Sequence, residues 1–96
     1  MVEVDENSSI SRCFNSTLTG AAATTPPCGI DLEHPESGEY DLNFNFEVDD
    51  RFYTSQILYD STLALAIYRN GTNGLQVLSY FAVGDQEDGE YQLIVY

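Results

Sequence analysis

Apolar and polar residues alternate without interruption between Tyr40 and Val48. The apolar positions are Leu42, Phe44, Phe46 and Val48, and Asp41, Asn43, Asn45 and Glu47 lie between them. A period of two residues is typical of a β-strand with one buried and one exposed face. The pattern therefore predicts a strand over residues 40–48 that covers a hydrophobic core.

Further strands are predicted at residues 51–59, 62–69, 75–83 and 90–96, with weaker ones near 11–19 and 2–5. The 62–69 segment is apolar on both faces, which predicts a central strand. A single helix over residues 50–70 is the alternative, but its apolar side chains spread around the helix instead of forming one stripe. Aromatic and β-branched content favours two strands joined by a turn at Asp60 and Ser61.

The connections predict antiparallel strands. Residues 70–74, with the sequence Asn-Gly-Thr-Asn-Gly, suit a hairpin loop. Residues 84–89 are expected to form a second hairpin before the last strand. Parallel strands need long crossovers, which these links are too short to provide. The prediction is an all-β fold, an antiparallel, jelly-roll-like β-sandwich of about 6–8 strands, forming one domain over residues 1–96.

The first third of the chain differs in composition from the rest. Residues 1–10 are predicted to be a flexible or edge segment. Residues 20–39 are predicted to be a long irregular loop, because the Pro26-Pro27 and His34-Pro35 pairs interrupt any ladder of hydrogen bonds.

Charge limits the partners that this chain can bind. It has 16 acidic residues and three arginines, no lysine, and a net charge of −13. Direct binding of nucleic acid or of anionic lipid is not expected, because both need clustered basic side chains. Three explanations of the acidity stay open: solubility or life in salt-rich or calcium-rich medium, binding of divalent cations, and imitation of nucleic acid.

Membrane insertion is not expected, because no apolar run approaches the roughly 18 residues that a spanning segment needs. The first ten residues lack the basic and apolar regions of a signal peptide. A natural start and an excised or mature domain both remain open.

Cys13 and Cys28 are the only cysteines, with a loop of fourteen residues between them. A disulfide is predicted, and it would stabilise the fold by about 3 kcal/mol; two unpaired thiols are the alternative. A disulfide would place the protein in an oxidising compartment, so we expect it to be secreted or on a cell surface. The Asn-x-Ser/Thr triplets at Asn7, Asn15 and Asn70 are compatible with that setting.

Side chains suited to catalysis are few, so the protein is not expected to be an enzyme. His34 is the only histidine and lies between acidic residues, which predicts a solvated surface imidazole. Adjacent carboxylates such as Asp49 and Asp50 would point to opposite faces of a strand and are not expected to converge.

Metal binding is an open question. Asp85, Glu87 and Asp88 crowd one predicted hairpin loop, and Ca²⁺ takes oxygen ligands from such residues. The loop lacks the spacing of an EF-hand, so a solvated acidic turn is the alternative. We take Ca²⁺ as a candidate cofactor, with these three residues as its ligands.

Four segments of the chain are similar to those of the bacterial pre-peptidase C-terminal domain family. They are Phe14–Gly20, Tyr40–Val48, Leu63–Gly71 and Asp88–Val95. The cysteine pair and the Pro-Pro loop depart from the family pattern, and the matched positions supply no functional site. The resemblance implies a jelly-roll-like accessory module that aids secretion, stability or attachment, with calcium as a candidate ligand.

These observations together predict a non-catalytic accessory or binding module of a secreted or cell-surface protein. Its partner would be a catalytic or surface domain of the parent protein, or an extracellular ligand. The alternative function is a small acidic inhibitor that mimics nucleic acid, of the kind that phages produce.

Overall fold

The computed structural model describes residues 1–58, 63–81 and 84–96. Eight β-strands lie within these ranges. One short 3₁₀ helix, Gly20–Ala23, is also present in these ranges. The strands are β1 (Val2–Val4), β2 (Ile10–Cys13), β3 (Asp31–Glu36), β4 (Glu39–Asn43), β5 (Tyr53–Leu58), β6 (Leu63–Arg69), β7 (Gly74–Phe81) and β8 (Glu90–Val95).

The strands form two four-stranded sheets. The first sheet has the order β2-β1-β8-β5, and the second sheet has the order β3-β4-β7-β6. Every strand pair is antiparallel. The two sheets enclose one core, which confirms the predicted antiparallel β-sandwich.

The core lies between the inner faces of the two sheets. Every second residue of the inner strands contributes a side chain to the core. These residues are Val2, Val4, Tyr91 and Leu93 in the first sheet, and Tyr40, Leu42, Leu75 and Val77 in the second sheet. All eight side chains are almost completely buried. The period-two pattern therefore identified the buried face of both sheets, since successive side chains of a strand point to opposite faces.

The longest alternating run is a strand for only half of its length. β4 ends at Asn43, and Asn45 has a left-handed φ of 61°. The Asn43 side chain stabilises this turn by accepting a hydrogen bond from the Asn45 N–H at 2.9 Å. Phe44 and Val48 remain buried beyond the end of the strand, and their N–H groups donate to carbonyls of the 72–73 segment.

Two predictions for the first third of the chain are wrong. Residues 20–39 are not irregular throughout, because β3 runs from Asp31 to Glu36 and pairs with β4. Pro35 is tolerated there because β3 is an edge strand whose register shifts between Glu33 and Glu36. Within residues 1–10, the weak strand predicted at 2–5 is confirmed as β1, and it is not at an edge, because β1 lies between β2 and β8 with Val2 and Val4 buried.

Two predictions for the second half need correction as well. The hairpin between β6 and β7 is confirmed, but residues 84–89 connect β7 of the second sheet to β8 of the first sheet and are not a hairpin loop. β6 is an edge strand, not a central one. The helical alternative for residues 50–70 is excluded by strands β5 and β6. The turn predicted at Asp60 and Ser61 lies outside the described residues.

Within the described ranges, no helix is both long enough and apolar enough to cross a membrane.

The weak strand predicted at 11–19 is shorter than expected, because β2 ends at Cys13.

Candidate functional site

The predicted disulfide joins Cys13, at the end of β2, to Cys28 in the segment before β3, with a sulfur–sulfur distance of 2.07 Å. Both residues are buried. Next to the bond, the Asn15 amide donates from Nδ2 to the Cys28 carbonyl at 2.8 Å and accepts from the Thr17 hydroxyl at 2.6 Å. The Asn15 side chain therefore holds the covalently closed loop in place and is not available at the surface.

An open groove of about 1060 Å³ follows β3 on the side of the sandwich that the disulfide closes. It runs from the turn between β1 and β2 to the β6–β7 hairpin loop. Its lining consists of Ser8–Ile10, Pro26, Pro27, Ile30–Glu33, Asp41–Asn43 and Asn70–Gly74. β3 and β4 form its floor, and their register places Asp31 opposite Asn43 and Glu33 opposite Asp41.

The floor of the groove is rich in hydrogen-bond acceptors. Leu42 points into the core, so its neighbours Asp41 and Asn43 point to the outer face of the second sheet. Asp31 and Glu33 share that face, because they lie directly across from these two residues. Asp31 accepts from the Asn45 amide at 3.2 Å. One carboxylate oxygen of Asp41, Oδ1, is buried and has no hydrogen-bond partner among the described residues.

The residues predicted to bind calcium do not come together. Asp88 turns towards the β3–β4 hairpin, where its carboxylate accepts from the Gly38 N–H at 2.7 Å. Its two oxygens also lie 3.1 and 3.2 Å from Nε2 of His34. The main chain of Glu87 pairs with β7, since its N–H donates to the Ser79 carbonyl at 2.9 Å. Asp85, Glu87 and Asp88 therefore do not form a set of converging metal ligands.

His34 is more firmly held than a solvated surface imidazole. Its ring stacks on the ring of Tyr40 with centroids 4.7 Å apart, and its Nδ1 lies 2.8 Å from the Glu39 carbonyl oxygen. Together with the contact to Asp88, these interactions engage both ring nitrogens. His34 thus links β3 to the connection between the two sheets.

A different acidic group converges after β4. Carboxylate oxygens of Glu47, Asp49 and Asp50 lie within 4.8 Å of one another. The expectation that Asp49 and Asp50 would point apart is wrong, because the strand ends at Asn43 and the two residues lie in a turn. Repulsion from Asp50 and Asp49 raises the pKa of Glu47. The sequence showed that these acids are adjacent, but not that the chain folds back on itself there.

A second, smaller pocket of about 220 Å³ lies at the end of the sandwich near the chain termini. Its aromatic lining includes Phe14, which is 52% exposed, and Phe46, over whose ring the Arg51 guanidinium lies at 5.3 Å. Arg51 is oriented by a hydrogen bond from its Nε to the Glu47 carbonyl at 2.9 Å. The alternating pattern of residues 40–48 assigned Phe46 to the buried face of a strand and did not indicate this pocket.

Comparisons of the chain with protein-family models, with curated proteins and with solved structures find no match.

Proposed function

We propose that the protein is a non-catalytic binding module of a secreted or cell-surface protein, and that the groove along β3 holds its ligand. The observation that carries this proposal is the acceptor-rich floor of the groove, where the side chains of Asp31, Glu33 and Asp41 share one face of the sheet. The carboxylates of Asp31 and Glu33 are exposed, so they can accept hydrogen bonds from a ligand in the groove.

The chemistry of the groove selects the class of ligand. Its carboxylates come from Asp31, Glu33 and Asp41, and amide and hydroxyl side chains of the 70–74 loop form one wall. Such a site suits a ligand that presents several hydrogen-bond donors, above all amino groups. An amino sugar oligomer from a cell surface has this chemistry, whereas an anionic polymer would be repelled.

The proposed setting rests on the disulfide and on the composition. Disulfides persist in oxidising compartments, and the Cys13–Cys28 bond is buried in the fold. The similarity of four segments to pre-peptidase C-terminal domains supports an accessory role beside a catalytic or surface domain. The involvement of both His34 ring nitrogens in structural contacts supports a role without catalysis.

Titration with a chitosan oligomer, followed by amide NMR, tests the binding proposal. We expect shifts in residues 31–33, 41–43 and 70–74. Asp41→Asn should weaken binding at least about tenfold, since it removes the charge that the ligand meets. Asp85→Asn, which removes an exposed charge outside the groove lining, should leave binding unchanged. Shifts elsewhere, or equal effects of the two substitutions, would refute the assignment of the groove.

The setting is tested separately by fractionating the organism that makes the protein. Detection of the oxidised chain outside the cytoplasm is the expected result, and a reduced cytoplasmic chain would contradict it.

Stabilisation by calcium is tested by comparing the melting temperature of the protein in millimolar Ca²⁺ and in millimolar Mg²⁺. A rise in Ca²⁺ alone would support calcium stabilisation, and no rise would remove it.

Mimicry of nucleic acid is the second candidate function, and one observation favours it. Glu39 and Asp41 on β4, and Asp31 and Glu33 on β3, place their side chains on one sheet face, with Cα positions about 6.6–6.8 Å apart along each strand. This is a regular array of negative charge. The test is displacement of DNA from DNA-binding proteins of the same organism; failure to displace DNA from any of them would end this proposal.

A further inference from the structure

The edge strands on the two lateral sides of the sandwich differ in charge, proline content and regularity of register. On one side, the edge strand β3 carries Asp31, Glu33 and Glu36, contains Pro35 and has a register shift. Charge, proline and irregular register are the features by which proteins prevent an edge strand from pairing with another chain. On the opposite side the edge strands are β5 and β6, and they lack these protections.

β6 is the more regular of these two edges. Its seven residues pair with β7 in an unbroken register, from Leu63 opposite Phe81 to Arg69 opposite Leu75. The strand has no proline, and Arg69, its last residue, is its only charged side chain. In a domain with a net charge of −13, this is an unusually neutral stretch of surface.

The hydrogen-bond pattern shows which backbone groups of β6 face outwards. The Asn70 N–H donates to the Gly74 carbonyl at 3.0 Å, so even-numbered residues of β6 form the bonded pairs with β7. The N–H and C=O groups of Leu65 and Ile67 therefore point away from β7. In the described ranges, β6 pairs with no strand on that side.

Apolar side chains along this edge are only partly covered. Leu65 and Ile67 point towards the core but remain half-buried, and Ile57 of β5, the other edge strand on this side, is half-buried as well. On the outer face of the sheet, Tyr68 is 53% exposed. In a strand placed next to β6, the side chains on the inner face would cover Leu65 and Ile67. The side chains on the outer face would contact Tyr68.

We propose that β6 accepts an extended segment of a partner protein, in which apolar residues alternate with lysine or arginine, as an added antiparallel or parallel strand. Backbone hydrogen bonds to Leu65 and Ile67 would provide affinity, and the alternate side chains would provide specificity. The apolar residues cover Leu65 and Ile67. The basic residues lie on the outer face, where Tyr68 offers its ring to a cation.

Charge selects this occupant over a second copy of the same chain. Two copies, each with a net charge of −13, repel each other, whereas a basic segment is attracted to the domain. β3 and β6 are the two opposite edges of the second sheet, and the proposal for β6 uses no residue of the groove lining, so it does not depend on the proposed function. Either can fail without the other.

The experiment uses a blocked peptide of about nine residues in which valine alternates with lysine, titrated into the protein and followed by NMR. We expect hydrogen-exchange protection to appear at the amides of Leu65 and Ile67. The amides of Ala66 and Tyr68 should change little, because they already donate to β7. Replacing the lysines with glutamate should weaken binding at least about tenfold.

Two controls separate strand addition from other modes of binding. A peptide N-methylated at two adjacent central residues can pair through neither edge and should lose binding. Ile67→Lys, which places an inward charge at the half-buried edge, should weaken binding at least about tenfold, with circular dichroism verifying the fold. Binding of the N-methylated peptide, protection at β3 instead of β6, or a dimer in sedimentation that excludes the peptide would overturn the proposal.

Discussion

Tyr40 and Tyr91 meet edge to face between the two sheets, with ring centroids 5.0 Å apart. Both side chains are fully buried, yet their hydroxyl groups differ. The Tyr40 hydroxyl donates to the Gly89 carbonyl at 3.4 Å and accepts from the Gly89 N–H at 3.3 Å. The Tyr91 hydroxyl has no hydrogen-bond partner among the described residues, and burial raises the pKa of this group far above its ordinary value.

This difference predicts opposite effects of the same substitution. Tyr40→Phe should lower the free energy of unfolding by about 1 kcal/mol, since the Gly89 backbone loses its partner. Tyr91→Phe should leave it unchanged or raise it by about 1 kcal/mol, because it removes a buried hydroxyl without a partner. Urea denaturation of the two variants checks this. Equal losses of stability would mean that the Tyr91 hydroxyl has a partner in solution.

Gly38 and Gly71 provide a matched pair, since both have a φ of +75°. A Cβ atom at Gly71 would meet nothing, whereas one at Gly38 would collide with the Ser79 carbonyl and lie 2.7 Å from the Glu87 nitrogen. Gly71→Ala should therefore cost about 1–2 kcal/mol for the left-handed backbone alone. Gly38→Ala should cost clearly more in the same thermal unfolding measurement. Similar costs would contradict the close approach of these three segments.

Removal of the disulfide should lower stability by about 3 kcal/mol, because the open chain between Cys13 and Cys28 gains conformational freedom when the protein unfolds. The measurement is urea denaturation of the Cys13→Ser, Cys28→Ser double variant. Reductant should destabilise the parent protein but not this variant. A parent protein that is insensitive to reductant under unfolding conditions would contradict the prediction.

Salt should stabilise the protein. With a net charge of −13 and one ion pair between arginine and carboxylate among the described residues, Arg12 with Glu3, repulsion is hardly compensated. Raising NaCl from about 0.1 to about 1 M shortens the screening length from about 10 to about 3 Å and weakens this repulsion. The melting temperature should rise steadily. A variant with the exposed Glu6, Glu36 and Glu87 changed to glutamine should show a smaller rise.

Glu47 predicts a dependence on pH. Repulsion from Asp50 and Asp49 raises its pKa above the ordinary value of 4.5, so the folded state binds this proton more tightly than the unfolded state does. The repulsion therefore destabilises the fold above the raised pKa, and it disappears as the pH falls below the ordinary value. Glu47→Gln should melt at a higher temperature than the parent protein at pH 7. That advantage should vanish at low pH; an advantage that is independent of pH would contradict the assigned cause.

The candidate groove shows why a site of this kind is hard to predict from sequence. Asp31, Glu33 and Asp41 were visible as acidic residues, but residues 20–39 were expected to be irregular. The pairing of β3 with β4 makes these carboxylates neighbours. β3 contains a proline, and β4 lies in the segment with the longest alternating pattern of the chain. The alternation of residues within a strand carries no information about which other strand it pairs with.

The sequence by itself determined the class of fold, the buried parity of the strands and the cysteine pair, because side-chain alternation and turn composition are local properties. Only the tertiary structure decided which strands are neighbours: β1 lies inside the first sheet, and β7 and β8 belong to different sheets. The tertiary structure also decided that Asp88 contacts Gly38 and His34 and not its acidic neighbours in the sequence. The physical reason is that strand order and carboxylate partners depend on contacts between residues far apart in the chain, where burial and backbone pairing outweigh local preference.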